Sequence, residues 1–274
     1  MTGTTQLILS GVVRVQAQSQ PSSSSQPLVT NWGAYEPDSS IGKPGRREGG
    51  GTRNPCFKGS ITVTALIPLV KFQGKQLAYG TTFEASPTFF AYVPPAYVPL
   101  SEQENSSAEE LSKSRQVEFL LQQQEENKEI YRATFTVPAS AGIVSISLPT
   151  YENSPTLEVG KNYVWSVSLI CDAETYKADP SDNSIKISGL GSIKRVNPEA
   201  SLQMQLKEAS PRERFLAYAR KGIWYDALST LAELRRANPN NPQLEADWRE
   251  MLKSIQLDNI TQEPIVPTDS PSQR

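Results

Sequence analysis

The run LEVGKNYVWSVSLICD, residues 157–172, restricts the fold of this chain more than any other stretch. Tyr163, Trp165, Val167, Leu169 and Cys171 fall on one side of an extended backbone, and Ser166 and Ser168 on the other, because successive side chains of a strand point to opposite faces. An apolar face of that size needs a second layer, so this strand belongs to a sheet with one side in a core. The same alternation recurs in YRATFTV, where Tyr131, Ala133, Phe135 and Val137 share a face, and in VSISL, where Val144, Ile146 and Leu148 do. With Pro, Gly and polar turns as punctuation, residues 57–196 divide into seven candidate strands: 61–70, 88–93, 116–121, 130–137, 143–148, 162–171 and 185–196.

The lead-in to the most regular strand carries the spacing L-x-x-G-x-x-Y at Leu157, Gly160 and Tyr163. That pattern resembles the tyrosine corner of fibronectin type III and related immunoglobulin-like domains. The likeness covers one strand and its turn, and implies a sandwich without naming a function.

After Val196 the period changes. EASLQMQLKEA, PRERFLAYARKG, WYDALSTLAELRRANP and NPQLEADWREMLKSIQL have helical spacing. Ser210, Pro211 and Glu213 read as an N-cap, a proline at the first helical position and a capping-box glutamate. Gly222 ends that helix and Asn238-Pro239 the next. The pair resembles a tetratricopeptide repeat, since Gly222, Ala227, Leu231 and Pro239 keep that repeat's spacing and Tyr218 fits its first helix; Pro211 and Phe215 depart from it. A single repeat cannot bury its own face, so these helices must pack on one another, on Trp248 or on the strands. Two readings stand: a docking surface for another protein, with Trp224, Tyr225 and Asp226 as the partner-binding residues, or a structural cap. The expected fold is mainly β plus α: an immunoglobulin-like antiparallel β-sandwich over 55–197 and a small C-terminal helical hairpin module over 198–258, with a disordered tail over 259–274.

The N-terminal LILSGVVRVQAQSQ has an apolar stretch, Leu7 to Val13, and a small-residue cleavage pattern, Val15-Gln16-Ala17, before Gln18. It resembles the back half of a secretory signal over 1–17, although residues 1–6 carry no Lys or Arg and Arg14 interrupts it; a plain N-terminal strand is the other reading. Residues 18–54 are rich in Ser, Pro, Gly and Gln without periodicity, the composition of a disordered linker. At its end GRREGGGTRNPC, residues 45–56, lacks the spacing of a phosphate-binding loop, and a strand rather than a helix follows. Arg46, Arg47 and Arg53 are therefore expected to be solvated or paired locally. In an exported chain Cys56 and Cys171 would form a disulfide; in the cytosol they would be two unpaired thiols.

The sequence contains no histidine, which excludes Ser-His-Asp and Cys-His catalysis, imidazole-bound zinc and a histidine pH switch. Its 27 Lys and Arg against 29 Asp and Glu leave a net charge of -2, so no bulk field gathers nucleic acid. No apolar run reaches the roughly 20 residues of a membrane span. Asp172, Asp179, Asp182 and Asn183 offer oxygen ligands, but without the spacing of a calcium loop. No catalytic, cofactor or metal site is assigned. A carbohydrate-directed role, as a binding module or a carboxylate-dependent hydrolase, is the alternative, with Tyr92, Tyr97 and Trp165 as candidate stacking rings.

The ordered series GRREGGGTRNPC, TALIP, PTFFAYVP, VEFLLQ, IYRATFTVP, GIVSISLP, LEVGKNYVWSVSLICD and PRERFLAYARKGIWYDALSTLAELRRANP resembles the domain of unknown function 928 family of exported cyanobacterial proteins. The resemblance runs from about Arg46 to Leu257 and implies export to the periplasm or beyond and a paired Cys56 and Cys171. It brings no activity. The expectation is an exported, non-catalytic binding or assembly module whose partner is a protein of the envelope or secretion pathway.

Overall fold

Pro68 decides how the chain enters its sheets. Proline has no N–H for a ladder, and the described part of the expected strand 61–70 splits there into β1 (Thr64–Ala65) and β2 (Leu69–Phe72), in different sheets. The computed structural model describes residues 28–37, 41, 46–48, 62–95, 115–268 and 272–273. Among them, β1 joins β4 (Thr88–Val93), β7 (Gly142–Ser147) and β10 (Ile265–Val266) in one sheet, ordered β1-β4-β7-β10. The larger sheet contains β2, β3 (Lys75–Thr82), β5 (Arg115–Gln123), β6 (Lys128–Val137), β8 (Asn162–Ile170), β9 (Lys186–Arg195) and β11 (Ser272–Gln273), ordered β11-β6-β5-β8-β9-β3-β2. Neighbours are antiparallel except β3 beside β9 and β7 beside β10, which are parallel.

β3 is missing from the sequence expectation because KQLAYGTT opens on polar residues and contains a glycine, which weakens its strand signal. Gln73 and Gly74, with φ of +48° and +75°, make the two-residue turn that sets β3 against β2. Gly80 within β3 is required by packing: a Cβ there would lie 3.1 Å from Trp224 Cβ and 3.1 Å from Tyr225 Cε2.

The two sheets face each other across aromatic side chains. Phe89 of β4 meets Phe119 of β5 at 4.9 Å and Trp165 of β8 at 5.1 Å between ring centroids. Tyr163, Trp165, Val167 and Leu169 are buried on the inner face, as their alternation requires. Gly160 takes φ +83°, and the Tyr163 hydroxyl accepts the Glu158 N–H at 2.9 Å, closing the corner that the L-x-x-G-x-x-Y spacing implies.

Among the described residues five helices follow or interrupt the strands: α1 (Ala173–Ala178), α2 (Ala200–Glu208), α3 (Pro211–Lys221), α4 (Trp224–Ala237) and α5 (Pro242–Ser254). The Ser210 hydroxyl accepts the Glu213 N–H, the Glu213 carboxylate accepts the Ser210 N–H at 2.8 Å, and Pro211 occupies the first turn of α3. Such a cap contributes about 1 kcal/mol. Gly222 ends α3 at φ +76°, and Asn238 ends α4.

These helices share the core of the sheets. Phe215, Trp224, Leu231 and Trp248 belong to the same buried cluster as Phe89 and Trp165. An amphipathic surface helix buries one stripe, yet Trp224, Tyr225, Asp226, Ala227 and Leu228, the first residues of α4, are all buried, because this part of α4 packs against β3 and β4, beside Gly80 and with the Tyr225 ring centroid 5.6 Å from that of Phe89. The Trp224 indole N–H donates to Leu66 O at 2.9 Å and the Trp165 indole N–H to the Tyr225 hydroxyl at 2.6 Å.

Within 18–54, expected as a disordered linker, the described residues pack on this body. Trp32 stands edge-on to Trp224 at 4.8 Å and donates from its indole to Ser254 Oγ at 2.8 Å. Ile41 joins Val70, Leu77 and Tyr79 in a smaller cluster. Arg47 is neither solvated nor paired locally: it is buried, and donates to Ile255 O at 2.5 Å and Gln256 O at 2.9 Å, just past the end of α5. The last carbonyls of a helix have no intrahelical donor, and a buried guanidinium supplies one. Arg53 lies outside the described residues. Among those described, no helix is long and apolar enough to cross a membrane.

Candidate functional site

The sheets and the helices leave a cleft of about 490 Å³ where they meet. One wall is the chain between β3 and β4, with Glu84, Ser86, Pro87 and Thr88; α3 supplies Arg214 and Tyr218, and α4 supplies Ser229, Thr230, Glu233 and Leu234. Tyr225 and Asp226 reach it from the buried first turn of α4.

Asp226 forms the floor. The Thr82 hydroxyl donates to Asp226 Oδ2 at 2.6 Å, and the Phe83 N–H lies 3.3 Å from each carboxylate oxygen. Thr82 Oγ1 also accepts the Glu84 N–H at 3.0 Å, which fixes the bend that aims Phe83 N–H at the acid. Burial pushes the Asp226 carboxyl up to about 7, and the charge of Glu84 adds to it, while the Thr82 and Phe83 bonds pull the other way. Tyr218 is pushed up to about 12 by burial and by the nearby Asp226 and Glu84, with Arg214 opposing. Asp226 therefore changes charge near neutrality inside a neutral aromatic frame.

Trp224, Tyr225 and Asp226, expected as an exposed patch for a partner, face inward, with exposures of 0%, 2% and 5%. Two of them lock α4 into the core, and only Asp226 and the edge of Tyr225 reach the cleft. Their burial was hidden from a helical reading because the first residues of α4 are covered all round, whereas further along only positions such as Leu231 and Ala232 are buried. Glu84, Arg214 and Glu233 went unnoticed because chain segments far apart in sequence bring them together; the Thr82-x-Glu84 turn beside an aromatic is the one local hint.

A second recess of about 510 Å³ lies on the outer face of the larger sheet. Glu118 of β5, 2% exposed, accepts Lys186 Nζ at 2.8 Å, Arg132 Nη1 at 2.6 Å and the Tyr176 hydroxyl at 2.7 Å. Burial opposes its ionisation, but Lys186, Tyr176 and Arg132 outweigh it and hold the carboxyl below its ordinary value. Ser168 and Ser188 bond at 2.7 Å across the strands of the same recess. Its charges are spent on each other.

The oxygen ligands of 172–183 are local caps. Asp172 accepts the Glu174 and Thr175 N–H groups at the start of α1, Asp179 the N–H and hydroxyl of Ser181, and Asp182 the N–H of Ser184. Among the described residues no group of His, Cys, Asp and Glu could hold a metal ion. Tyr92 and Trp165 are 3% and 2% exposed, buried core rings that a sugar cannot stack on, and Tyr97 lies outside the described residues. Cys171 follows β8 and is partly buried; Cys56 lies outside the described residues.

Among the described residues, two multi-stranded sheets and five helices share one core, with a cleft where they meet, which makes this a mixed protein of β-sheets and α-helices. Within that class the chain belongs to the Domain of Unknown Function (DUF928) family, whose sequence profile matches residues 48–265, from Glu48 to the first residue of β10. No curated protein matches the chain.

Proposed function

We propose that this protein is an exported, non-catalytic binding module, and that its ligand site is the cleft between the β3–β4 segment and helices α3 and α4. The observation that carries this reading is that cleft itself: its walls come from both parts of the molecule, and the helices forming one wall are anchored in the common core. Sites of this kind and size are where folded domains hold ligands. On this reading the helices are the wall of the site and also the cap of the sheets, and a partner from the envelope or secretion pathway presents its ligand group there. The body is read as immunoglobulin-like on the strength of the Tyr163 corner, and the α3–α4 pair as one tetratricopeptide-like hairpin on the spacing of Gly222, Ala227, Leu231 and Pro239. Cys56 is proposed to pair with Cys171, as an oxidising compartment favours; a mass difference between reduced and non-reduced Cys171 peptides tests that pairing.

The functional test is site-specific photo-crosslinking in cells with the full chain. A crosslinker at Glu233 or Arg214 is expected to trap a discrete product, and one at Lys177, on the far side, is not. Equal trapping at both places, or none at the cleft, removes the proposal. Deleting residues 207–258 is not an equivalent test, because those helices carry part of the core.

A further inference from the structure

Three acids are buried among the described residues: Glu118, Asp247 and Asp226. Glu118 has Lys186 and Arg132 against it, and Asp247 has Arg212 at 2.9 Å. Among the described residues Asp226 has two neutral donors and no cation. A buried carboxylate without a counter-charge is costly, and proteins ordinarily pair it. Here the unpaired acid opens onto a cavity instead of being sealed in apolar packing.

The rest of the cavity points the same way. Its lining holds three carboxylates, Glu84, Asp226 and Glu233, against one guanidinium, Arg214. No ion pair among the described residues engages Glu84 or Glu233. The Tyr218 side chain lines the same space and stays un-ionised through the physiological range, offering an aromatic surface of the sort that attracts an organic cation. A preformed cavity, a buried acid without a counter-charge and an aromatic wall are three separate observations.

We infer that the cleft between the β3–β4 segment and helices α3 and α4 binds an organic cation, an ammonium or guanidinium group, with Asp226 as its counter-ion at the floor and Glu84 and Glu233 at the rim. This rests on the cleft being the ligand site. The cation supplies the charge that the fold withholds from Asp226, as Lys186 and Arg132 do for Glu118. The group could come from a free amine or from a basic side chain of a protein, and the two share one chemistry. The charged and titratable groups that line the cleft with Asp226 are Glu84 from the β3–β4 segment, Tyr218 and Arg214 from α3, and Tyr225 and Glu233 from α4. With the Asp226 carboxyl pushed up to about 7 by burial, cation affinity is expected to rise with pH between about 6 and about 8.

The experiment is calorimetric titration of the full chain with agmatine, backed by NMR of the labelled tyrosines. A hexapeptide with one internal arginine, N-acetylglucosamine and glutamate serve as the other probes. Agmatine is expected to bind about tenfold more tightly at pH 8 than at pH 6, the change in ionised fraction for a single acid titrating near 7. Asp226→Asn is expected to abolish that pH dependence, and Thr82→Val, which removes a donor from the carboxylate, to move it to higher pH. If the Asp226→Asn variant fails to fold, the wild-type profile and its Thr82→Val shift still decide the matter. Tighter binding of agmatine marks a free amine as the source, and equal or tighter binding of the peptide marks a protein; both support the assignment. Cation binding that ignores pH overturns it. Binding of the sugar or of glutamate in place of agmatine overturns the cation chemistry and leaves the cleft as the site, whereas no response of Tyr218 to any probe overturns both.

Discussion

Glu118 and Asp226 are buried acids in one molecule with opposite surroundings. Glu118 lies on the outer face of the larger sheet, with a lysine, an arginine and a tyrosine hydroxyl on its two oxygens, and its carboxyl is held below the ordinary range. Asp226 sits on the first turn of α4 at the cleft with a threonine hydroxyl and one amide N–H, and its carboxyl is pushed up to about 7 by burial. The difference separates a structural acid from one left free to respond. Where a fold satisfies a charge completely, the group has nothing left to offer a ligand; where it satisfies the group only in part, ionisation is sensitive to whatever arrives.

The largest effect should come from breaking the satisfied side. Glu118→Ala leaves Lys186, whose side chain is 4% exposed, without its counter-charge. A loss of about 3–5 kcal/mol in urea unfolding is expected, largely restored in a Glu118→Met, Lys186→Met double variant. A cost below about 1 kcal/mol would mean that the site admits water and that the contrast with Asp226 is false.

The pH dependence of stability sharpens the comparison, because the two acids act with opposite sign. Asp226 has a folded value, about 7, above its unfolded value near 3.8. Between them the folded state holds a proton that the unfolded state has released, so stability falls as pH rises from about 4 to about 7, at up to about 1.4 kcal/mol per unit. Glu118 has a lowered folded value, so its contribution is present above about 4.5 and is lost as pH falls through that lowered value. Unfolding measured at pH 5 and pH 7 in wild type and Asp226→Asn should show the fall in the first and not in the second.

Thr82→Val should cost about 1 kcal/mol, the contribution of one buried hydrogen bond, and move the Asp226 midpoint upward. Smallest of all, Lys177→Ala breaks a pair with Glu174 whose side chains are 62% and 84% exposed, and should change stability by less than about 0.5 kcal/mol. A larger loss would show that α1 transmits strain to Tyr176 and so to Glu118.

Much of the local structure was legible because its causes are local. The Ser210–Glu213 box, Gly222 as a helix end and the Leu157–Gly160–Tyr163 corner each depend on residues close together in the chain, and each takes the form that its spacing dictates. The alternation of Tyr163 to Leu169 reports burial directly. β3 escaped because its place between β9 and β2 is decided by partners and not by its own side chains. Asp226 is expected from sequence on a partner-binding surface with Trp224 and Tyr225, because its position on α4 looks like a solvated first-turn acid; its burial against Thr82 and Phe83 depends on residues over 140 positions away. The cleft was illegible for the same reason: residues 82–88 and 211–237 come together only in the folded chain.

The Arg47 guanidinium also has a bearing on the order of events during folding. It closes on carbonyls 208 and 209 residues further along. Contacts of such long range form late, after the loop between them has been closed. The Arg47 carbonyl accepts the Ala65 N–H at 2.9 Å, a contact available early, whereas the contacts of the guanidinium with Ile255 and Gln256 are expected only once the chain beyond α5 is in place. Loss of α5 and the turn after it would thus leave the buried Arg47 guanidinium without two of its acceptors.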